Sequence, residues 1–166
     1  MIKRILLAAI IALPVCAFAQ KFGVVNADAI LQNMPEIPEI QKKLTDASQK
    51  FEAEFKNLQD EMQKKYEEFQ KLDKDATQPQ AIKERRMTEL QDLDKKIQEF
   101  RANATQQLQK QQADLMQPVQ ERVLKAIQAV GQKNGYTFIL QNEIPVFVGS
   151  DVTDVTPLVK AELGVK

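Results

Sequence analysis

The sequence has no histidine, no tryptophan and a single cysteine, and its 166 residues include only 5 glycines and 7 prolines. Without histidine the chain has no imidazole that could act as a general base or bind a metal ion. The charged fraction of 28% is too high for a membrane-embedded helix bundle, and the hydrophobic fraction of 43% is too high for a wholly disordered chain. These absences weigh against an enzyme, and the sequence predicts no cofactor and no metal site.

The first nineteen residues have the pattern of a secretory signal peptide. Lys3 and Arg4 give a positive start, residues 5–15 are apolar, and a small-x-small cleavage site ends at Ala19. The apolar run is about 11 residues long, which is shorter than the roughly 20 residues that span a bilayer. We therefore expect residues 1–19 to be removed on export.

Cleavage between Ala19 and Gln20 removes the only cysteine, Cys16, together with two basic residues. The mature chain then carries 21 basic and 23 acidic side chains, a net charge of −2. An exported chain without cysteine cannot form disulfides, so its fold must depend on packing. Lipid attachment at Cys16 is the alternative, although Val15 stands where a smaller residue is expected.

Residues 36–130 contain no glycine, and residues 36–134 are rich in residues that favour helices. Alternating steps of four and three from Ile37 to Ala76 meet apolar side chains at nine of twelve positions, which is the heptad pattern of a coiled coil. The stripe stops before Pro79, which cannot continue a helix but fits the first turn of a new one, with Thr77 or Gln78 as its cap. A second stripe with a slightly longer repeat follows, and it is typical of a second long helix.

Two long helices joined by so short a break must lie antiparallel. Their charges agree with this pairing, because residues 36–76 carry a net −3 and residues 79–134 a net +3. At 1.5 Å per residue, some 40 helical residues form an arm roughly 60 Å long, which is several times the radius of about 15 Å for a compact chain of this size. We therefore predict a hairpin arm over residues 36–134, with its tip near 76–80. We also expect Pro118 to interrupt the second helix and to mark a kink where the arm meets the base.

Short strand candidates lie at both ends of the mature chain. The segments 23–26, 136–141 and 145–149 are rich in β-branched and aromatic residues, and Thr153 with Asp154 can cap a last helix that ends at Leu163. Residues 20–35 and 135–166 then form a β body too small to be stable alone. We expect this body to join copies of the chain, through the apolar strand residues Val24, Val25, Phe138, Ile139, Leu140, Val146, Phe147 and Val148.

Laid out in this order, the chain resembles the Skp/OmpH family of periplasmic chaperones over nearly its whole mature length. The segments that carry the resemblance are Lys21-Phe22-Gly23-Val24-Val25-Asn26, Ala29-Ile30-Leu31, Pro35-Glu36, Pro118-Val119, Ala126-Ile127, Val130, Gly135-Tyr136 and Gly149-Ser150-Asp151-Val152-Thr153-Asp154. Each segment is short, and it is their order behind a signal peptide and around a charged hairpin that is specific.

The resemblance implies a mainly α fold in which a long antiparallel coiled-coil hairpin projects from a short-stranded β base that forms a homotrimer. It also implies a periplasmic, ATP-independent holdase that keeps unfolded outer-membrane β-barrel proteins in a cavity between its arms. This chain departs from the strongly basic members of the family through its charge of −2. No residues for lipopolysaccharide binding are therefore carried over.

Two groups of arm residues are candidates for contact with partners. Most of the apolar stripe is expected to pack between the two helices, because an isolated hairpin needs that burial for its own stability. The candidates for contact with unfolded clients are Tyr66, Met87, Phe100, Phe69 and Met62. The basic side chains near the tip, which offer weak attraction to an anionic membrane surface or serve only as a solvated loop, are Lys71, Lys74, Lys83, Arg85 and Arg86.

The main alternative is a structural coiled-coil protein, such as an envelope spacer or an adaptor with one defined partner. The phenylalanine and methionine residues along the stripe favour the looser, client-holding arm, because such side chains suit promiscuous contact. A nucleic-acid partner is not expected, since the mature chain is acidic and lacks a basic surface with aromatic residues.

Overall fold

The computed structural model of the protein describes residues 20–165, and the predicted signal with Cys16 and Ala19 lies outside them. The elements in chain order are β1 (Lys21–Val25), α1 (Ala27–Gln32), α2 (Ile37–Lys74), α3 (Gln80–Asn134), β2 (Tyr136–Gln141), β3 (Val152–Asp154) and α4 (Thr156–Leu163). The chain is therefore mainly helical with one small sheet, as the sequence predicts. None of the helices among residues 20–165 is both long and apolar enough to cross a membrane.

Helices α2 and α3 form the predicted antiparallel hairpin. The ring of Phe51 contacts that of Phe100 at a centroid distance of 6.2 Å, and Asp73 near the end of α2 pairs with Lys83 near the start of α3. At the opposite end, Glu36 just before α2 pairs with Arg122. At 1.5 Å per residue, the 38 residues of α2 span roughly 57 Å, which confirms an elongated arm.

The turn at the tip differs in detail from the prediction. Helix α2 ends at Lys74, and neither Thr77 nor Gln78 caps α3, whose first turn has no side-chain cap. The carboxylate of Asp75 instead accepts hydrogen bonds from the amide and hydroxyl groups of Thr77, at 2.9 and 2.6 Å. Asp75 therefore organises the turn from the side of α2, and the Thr77 hydroxyl acts there as a donor.

Helix α3 runs without interruption through Pro118. The prediction that Pro118 interrupts this helix is therefore wrong. Proline lacks the amide that would donate to the carbonyl of Asp114. One missing hydrogen bond does not end a helix whose residues before and after the proline are held by packing. Val119 and Val123, which follow directly, are buried in the core.

The sheet has three strands in the order β2-β1-β3, and β1 runs parallel to both neighbours. Phe22 lies opposite Phe138 on one side and Val152 on the other, and Gly23 lies opposite Ile139 and Thr153. Parallel strands require a long crossover between them. The whole hairpin arm is the crossover that joins β1 to β2.

The predicted strand over 145–149 is wrong. That segment lies in the connection between β2 and β3, and the third strand is Val152–Asp154. The two positions beside β1 are taken by β2 and β3, and residues 145–149 pair with neither of these outer strands. Their apolar alternation indicated a need for burial, which pattern alone cannot distinguish from membership of this sheet.

One apolar core joins the sheet to the roots of the arm helices. Its buried side chains come from β1, α1, the start of α2, the end of α3 and the last helix: Val25, Ile30, Met34, Ile40, Val119, Val123, Ala126, Val130, Val155 and Val159. Ile139 of β2 packs against this core from the sheet. The base of each arm helix is therefore fixed in the same core as the sheet.

Two short helices complete the base. Helix α1 was not predicted, although Asn26 gives a sequence signal for it, and its side chain accepts a hydrogen bond from the amide of Ala29 at 2.8 Å. The last helix ends at Leu163 as predicted but begins at Thr156, two residues later than a cap at Thr153 would give. The carboxylate of Asp154 accepts from the amide of Thr156 at 2.9 Å.

Gly23 allows the closest approach between sheet and core. A Cβ atom at this position would lie 3.1 Å from Val155 Cγ1, 3.2 Å from Ile139 Cγ1 and 3.3 Å from Tyr136 Cδ1. We expect Gly23→Val to lower the free energy of unfolding by about 1–3 kcal/mol, because the larger side chain overpacks this contact. Chemical denaturation followed by circular dichroism measures the change, with Gly149→Ala as control, since Gly149 has ordinary space around it. An unchanged midpoint for Gly23→Val would contradict this packing.

Candidate functional site

Within residues 20–165, the apolar core of the base lies against only one face of the sheet. In parallel strands paired residues point to the same side, so Gly23 and Val25 with Ile139 face the helices, and the alternate residues face away. None of those alternate residues belongs to the core or packs against it within residues 20–165. The outward-facing apolar residues, called the open face below, are Phe22, Val24, Phe138, Leu140 and Val152.

The apolar residues of the open face are not isolated from one another. The rings of Phe22 and Phe138 lie 4.6 Å apart between centroids, and Phe138 is nonetheless 49% exposed. Parallel sheets are almost always covered on both faces, because their strands are apolar on both sides. An apolar face of this kind on a small base indicates a surface for association.

The connection between β2 and β3 adds a second apolar surface at the same base. Val146 is fully exposed and Phe147 is 84% exposed. Ile144 and Val148 are exposed as well. Several large apolar side chains that lie close together along the chain and are all exposed are uncommon on a monomeric protein. This segment, residues 144–148, therefore also indicates a surface for association.

Both outer strands of the sheet have an open edge. Because the strand order is β2-β1-β3, β2 and β3 each pair on one side only within the described chain. An open edge presents unpaired amide and carbonyl groups to a further strand. The base therefore offers an apolar face, an apolar connection and two strand edges to an approaching chain.

The structure divides the predicted assembly residues into three sets. Val25 is 2% exposed and belongs to the core of its own chain, and Ile139 packs against that core. Val24, Phe138 and Leu140 point the other way, onto the open face. The remaining three are the exposed residues of the connection, Val146, Phe147 and Val148. Sequence reasoning missed Phe22, Val152 and Ile144, although the alternation of Phe22 with Val24 could have indicated the first of them.

Two of the predicted arm contacts come together near the tip. Phe69 and Met87 line one groove of about 230 Å3 between the helices, with Lys83 and Glu84 at its rim. Met87 is 42% exposed, and Tyr66, one turn before Phe69 on α2, is 49% exposed. These three residues therefore present apolar surface to solvent at the distal end of the arm.

The other two predicted arm contacts lie in the seam between the helices. Phe100 is half-buried and packs edge-on against Phe51, and Met62 is half-buried on the inward stripe of α2. The guanidinium of Arg101 lies 5.5 Å from the ring centre of Phe55, which covers that aromatic side chain from outside. Phe100 and Met62 thus already have partners within the arm.

The basic residues of the tip also have local partners. Lys83 Nζ donates to the carbonyl of Asp73 at 2.7 Å, and Arg85 and Arg86 both pair with Glu89, at 3.1 and 2.7 Å. The hydrogen bond from Arg86 is the main reason that the pKa of Glu89 lies below its usual value. Lys71 and Lys74 occupy the last turn of α2, where positive charge is favourable next to the helix C-terminus.

Metal binding has no candidate in the described chain. No cluster of three or more histidine, cysteine, aspartate or glutamate side chains in residues 20–165 is arranged so that it could hold an ion. The surfaces with an unsatisfied physical requirement are apolar, and they lie at the base and along the arm.

Comparison with models of protein families gives a match. A family model described as "Outer membrane protein (OmpH-like)" matches residues 21–163. This span begins with β1 and ends with the last residue of α4, so it includes both the base and the arm. No curated protein matches the chain.

The stability of the tip turn is expected to depend on pH, because the turn is held by the carboxylate of Asp75. Hydrogen bonds from the hydroxyl and the amide of Thr77, and then from Gln78, hold the pKa of this carboxyl below its usual value. The folded turn therefore favours the ionised form of Asp75. The contribution of this carboxylate to the stability of the turn is fully present above the pKa that Asp75 has in the unfolded chain, and it is lost as the pH falls through the lower pKa that Asp75 has in the folded chain. The expected result is that the amide exchange of Thr77, corrected for intrinsic rates, stays slow until that pH and then accelerates. In Asp75→Ala the corrected rate should be fast and independent of pH, and a pH dependence that survives this change would contradict the assignment.

Proposed function

The chain belongs to the OmpH-like family, a family of periplasmic chaperones for outer-membrane proteins, and we propose that it acts as an ATP-independent holdase for unfolded outer-membrane β-barrel proteins. Three copies associate through the base, and their hairpin arms enclose the client. The family is not one of enzymes, and this function requires no catalytic residue and no cofactor. The predicted signal and the periplasmic location of the family support export of this chain to the periplasm.

The observation that carries the proposal is the open face of a parallel sheet at the root of a long arm. A single arm cannot enclose anything, so a holdase of this design needs association at the base. The open face and residues 144–148 supply apolar surface for that association, and burial of each large side chain is worth roughly 1.5–3 kcal/mol. Several such side chains per copy are enough to outweigh the entropy cost of assembly, which is about 4–15 kcal/mol.

Client binding by the arms requires many weak and tolerant contacts. Tyr66, Phe69 and Met87 near the tip are the arm residues that best support such contact, because flat aromatic and flexible thioether side chains adapt to different partners. Phe100 and Met62 contribute indirectly, by holding the two helices together. The charged outer surface of the arm keeps a loaded complex soluble.

The basic tip supports at most a weak contact with anionic membrane surfaces. Three of its five basic side chains already pair with acidic neighbours, and the other two neutralise a helix end. We therefore leave the membrane contact outside the proposed mechanism. A structural spacer or adaptor remains the alternative, and client binding distinguishes the two.

The holdase function predicts that the mature chain suppresses the aggregation of an unfolded outer-membrane β-barrel protein diluted from urea, at a ratio of about three chains per client and without ATP. Light scattering measures the aggregation. A spacer with one defined partner would leave the scattering of this client unchanged, and that result would overturn the proposal.

The double variant Tyr66→Gln, Met87→Gln is expected to weaken client binding about three- to tenfold, because each change removes part of an apolar contact worth about 0.5–1 kcal/mol. The matched control is Gln63→Ala, Gln91→Ala, two exposed positions in the same part of the arm. Binding of a fluorescent client measures the affinity. Equal affinities for the double variant and the control would place the client contacts elsewhere.

If the chains associate through the base, Val146→Asp or Phe138→Asp is expected to lower the mass of the particle from that of three chains to that of one. The helical content should stay within about 10% of the original, because neither side chain supports the core of its own chain. Ile82→Asp is the control, since Ile82 is similarly apolar and exposed but lies near the tip. Analytical ultracentrifugation and circular dichroism measure the two properties. Unchanged association in both base variants would contradict the assigned interface.

A further inference from the structure

The junction between α3 and β2 contains a chemically labile pair of residues. Asn134 is the last residue of α3, and among the asparagines of the sequence it alone is followed by a glycine. Asparagine is one of the side chains that degrade on heating. Its side-chain carbonyl carbon lies within reach of the next backbone nitrogen, and a glycine at that position gives this nitrogen the greatest freedom to approach. The bond between Asn134 and Gly135 is therefore the position in this chain that is most prone to deamidation.

Deamidation at this position needs water as its only co-reactant. The backbone nitrogen of Gly135 attacks Cγ of Asn134, and the new C–N bond closes a five-membered succinimide ring. The side-chain nitrogen of Asn134 leaves as ammonia and takes up the proton that the attacking nitrogen loses. Water then adds to one of the two carbonyl carbons of the succinimide and opens the ring, which leaves either aspartate or isoaspartate. In isoaspartate the backbone runs through the former side chain, so it is longer by one methylene group.

The folded junction engages both reacting groups in other contacts. The side-chain Nδ2 of Asn134 donates to the carbonyl of Val130 at 2.8 Å, one turn back along α3. The amide of Gly135 donates to the carbonyls of Gln132 and Gly131 and so closes the end of the helix. The nitrogen that would leave and the nitrogen that would attack are therefore both held by the last turn of α3.

Hydrogen bonding protects this bond, and burial does not. Asn134 and Gly135 are both exposed, so water reaches them. Two contacts from other parts of the base help to hold the turn. Lys21 Nζ of β1 donates to the backbone carbonyl of Asn134 at 3.2 Å, and Lys133 Nζ donates to both carboxylate oxygens of Glu162 on α4, at 2.6 and 2.7 Å. The closed turn therefore depends on β1 and α4 as well as on α3 itself.

We propose that Asn134 is a deamidation site that the last turn of α3 suppresses and that local opening of this turn exposes. The rate in the folded chain is then the rate in the unfolded chain multiplied by the fraction of time that the turn is open. The isoaspartate product does not fit the original junction, because Tyr136 follows directly, pairs with Lys21 and packs against the core. The aspartate product places a negative charge at the C-terminal end of α3, where it is unfavourable. An effect on assembly rests on the proposed function, whereas the modification itself does not.

Incubation of the mature chain, folded in buffer or unfolded in guanidinium chloride at the same pH and temperature, tests the site. Peptide mass spectrometry measures the conversion, since replacement of the amide nitrogen by oxygen adds about 1 Da, and an isoaspartyl methyltransferase detects isoaspartate. The unfolded chain should convert at Asn134 at least about tenfold faster than the folded chain. Equal rates would overturn the suppression, and an unfolded chain that does not convert would overturn the site. An isoaspartate signal that persists in Asn134→Gln would place the site elsewhere.

Loosening the last turn of α3 provides the matched test. The double variant Gln128→Gly, Gln132→Gly changes two exposed positions near the end of the helix, and the folded chain should then convert about fivefold faster, because glycine weakens a helix. The control Gln106→Gly, Gln109→Gly makes the same changes at exposed positions farther along α3 and should alter the rate less than about twofold. Equal acceleration in both variants would contradict the role of the last turn, as would an unchanged rate in the first.

A milder variant covers the case in which the first double variant loses helical content. Glu162→Ala removes the contact of Lys133 with α4 and should accelerate the conversion of the folded chain about twofold, the scale of an exposed ion pair. Glu143→Ala, a change of another exposed acid of the base, is its control. The same rate in these two variants would overturn the dependence of the turn on α4.

A last measurement separates the modification from the proposed assembly. Chains with isoaspartate and unconverted chains are separated by chromatography and refolded, and sedimentation velocity measures the mass of each. The isoaspartate chains should need at least about a threefold higher concentration to associate, because β2 no longer joins α3 in the original geometry. Unchanged association would overturn the effect of the modification on the base. If the unconverted chain is itself a monomer, the proposed assembly fails, while the conversion rates still decide the site.

Discussion

The rest of the structure depends on a parallel sheet whose apolar core lies, within residues 20–165, on only one of its faces. Gly23 and Val25 of the central strand pack on the helices, while Phe22 and Val24 of the same strand face outward beside Phe138. Parallel strands are apolar on both sides and need cover on both sides. Residues 20–165 meet half of that requirement, and the proposed association would meet the rest.

The same constraint explains the form of the arm. Parallel pairing of β1 with β2 requires a crossover, and here the crossover is the entire hairpin of α2 and α3. The roots of both helices lie in the core beneath the sheet, so the arm projects from a fixed base and is not a tethered appendage. In the proposed assembly, association at the open face brings several arms together, which would connect a local packing requirement to a cavity for unfolded protein.

The sequence predicted the arm well and the base less well, for a physical reason. The heptad stripe from Ile37 onward depends on neighbours three and four residues away, so the local pattern was sufficient for the hairpin. The strand expected at 145–149 failed because its partner is not local, and the chain uses Val152–Asp154 beside β1 instead. For the same reason Val25 and Ile139 could not be separated from Val24 and Phe138 as assembly residues, since only the register of the sheet decides which face each occupies. Helix α1 was missed although Asn26 marks its start.

The most direct test is the mass of the particle that the mature chain forms in solution. Sedimentation velocity measures this mass at chain concentrations from about 0.1 to 50 μM, without client. Three chains per particle, with little dissociation over the upper part of this range, is the predicted result, because the open face and residues 144–148 must be covered. A monomer throughout the range, with the same helical content, would contradict the central claim, since it would show that the sheet is stable with one apolar face in water.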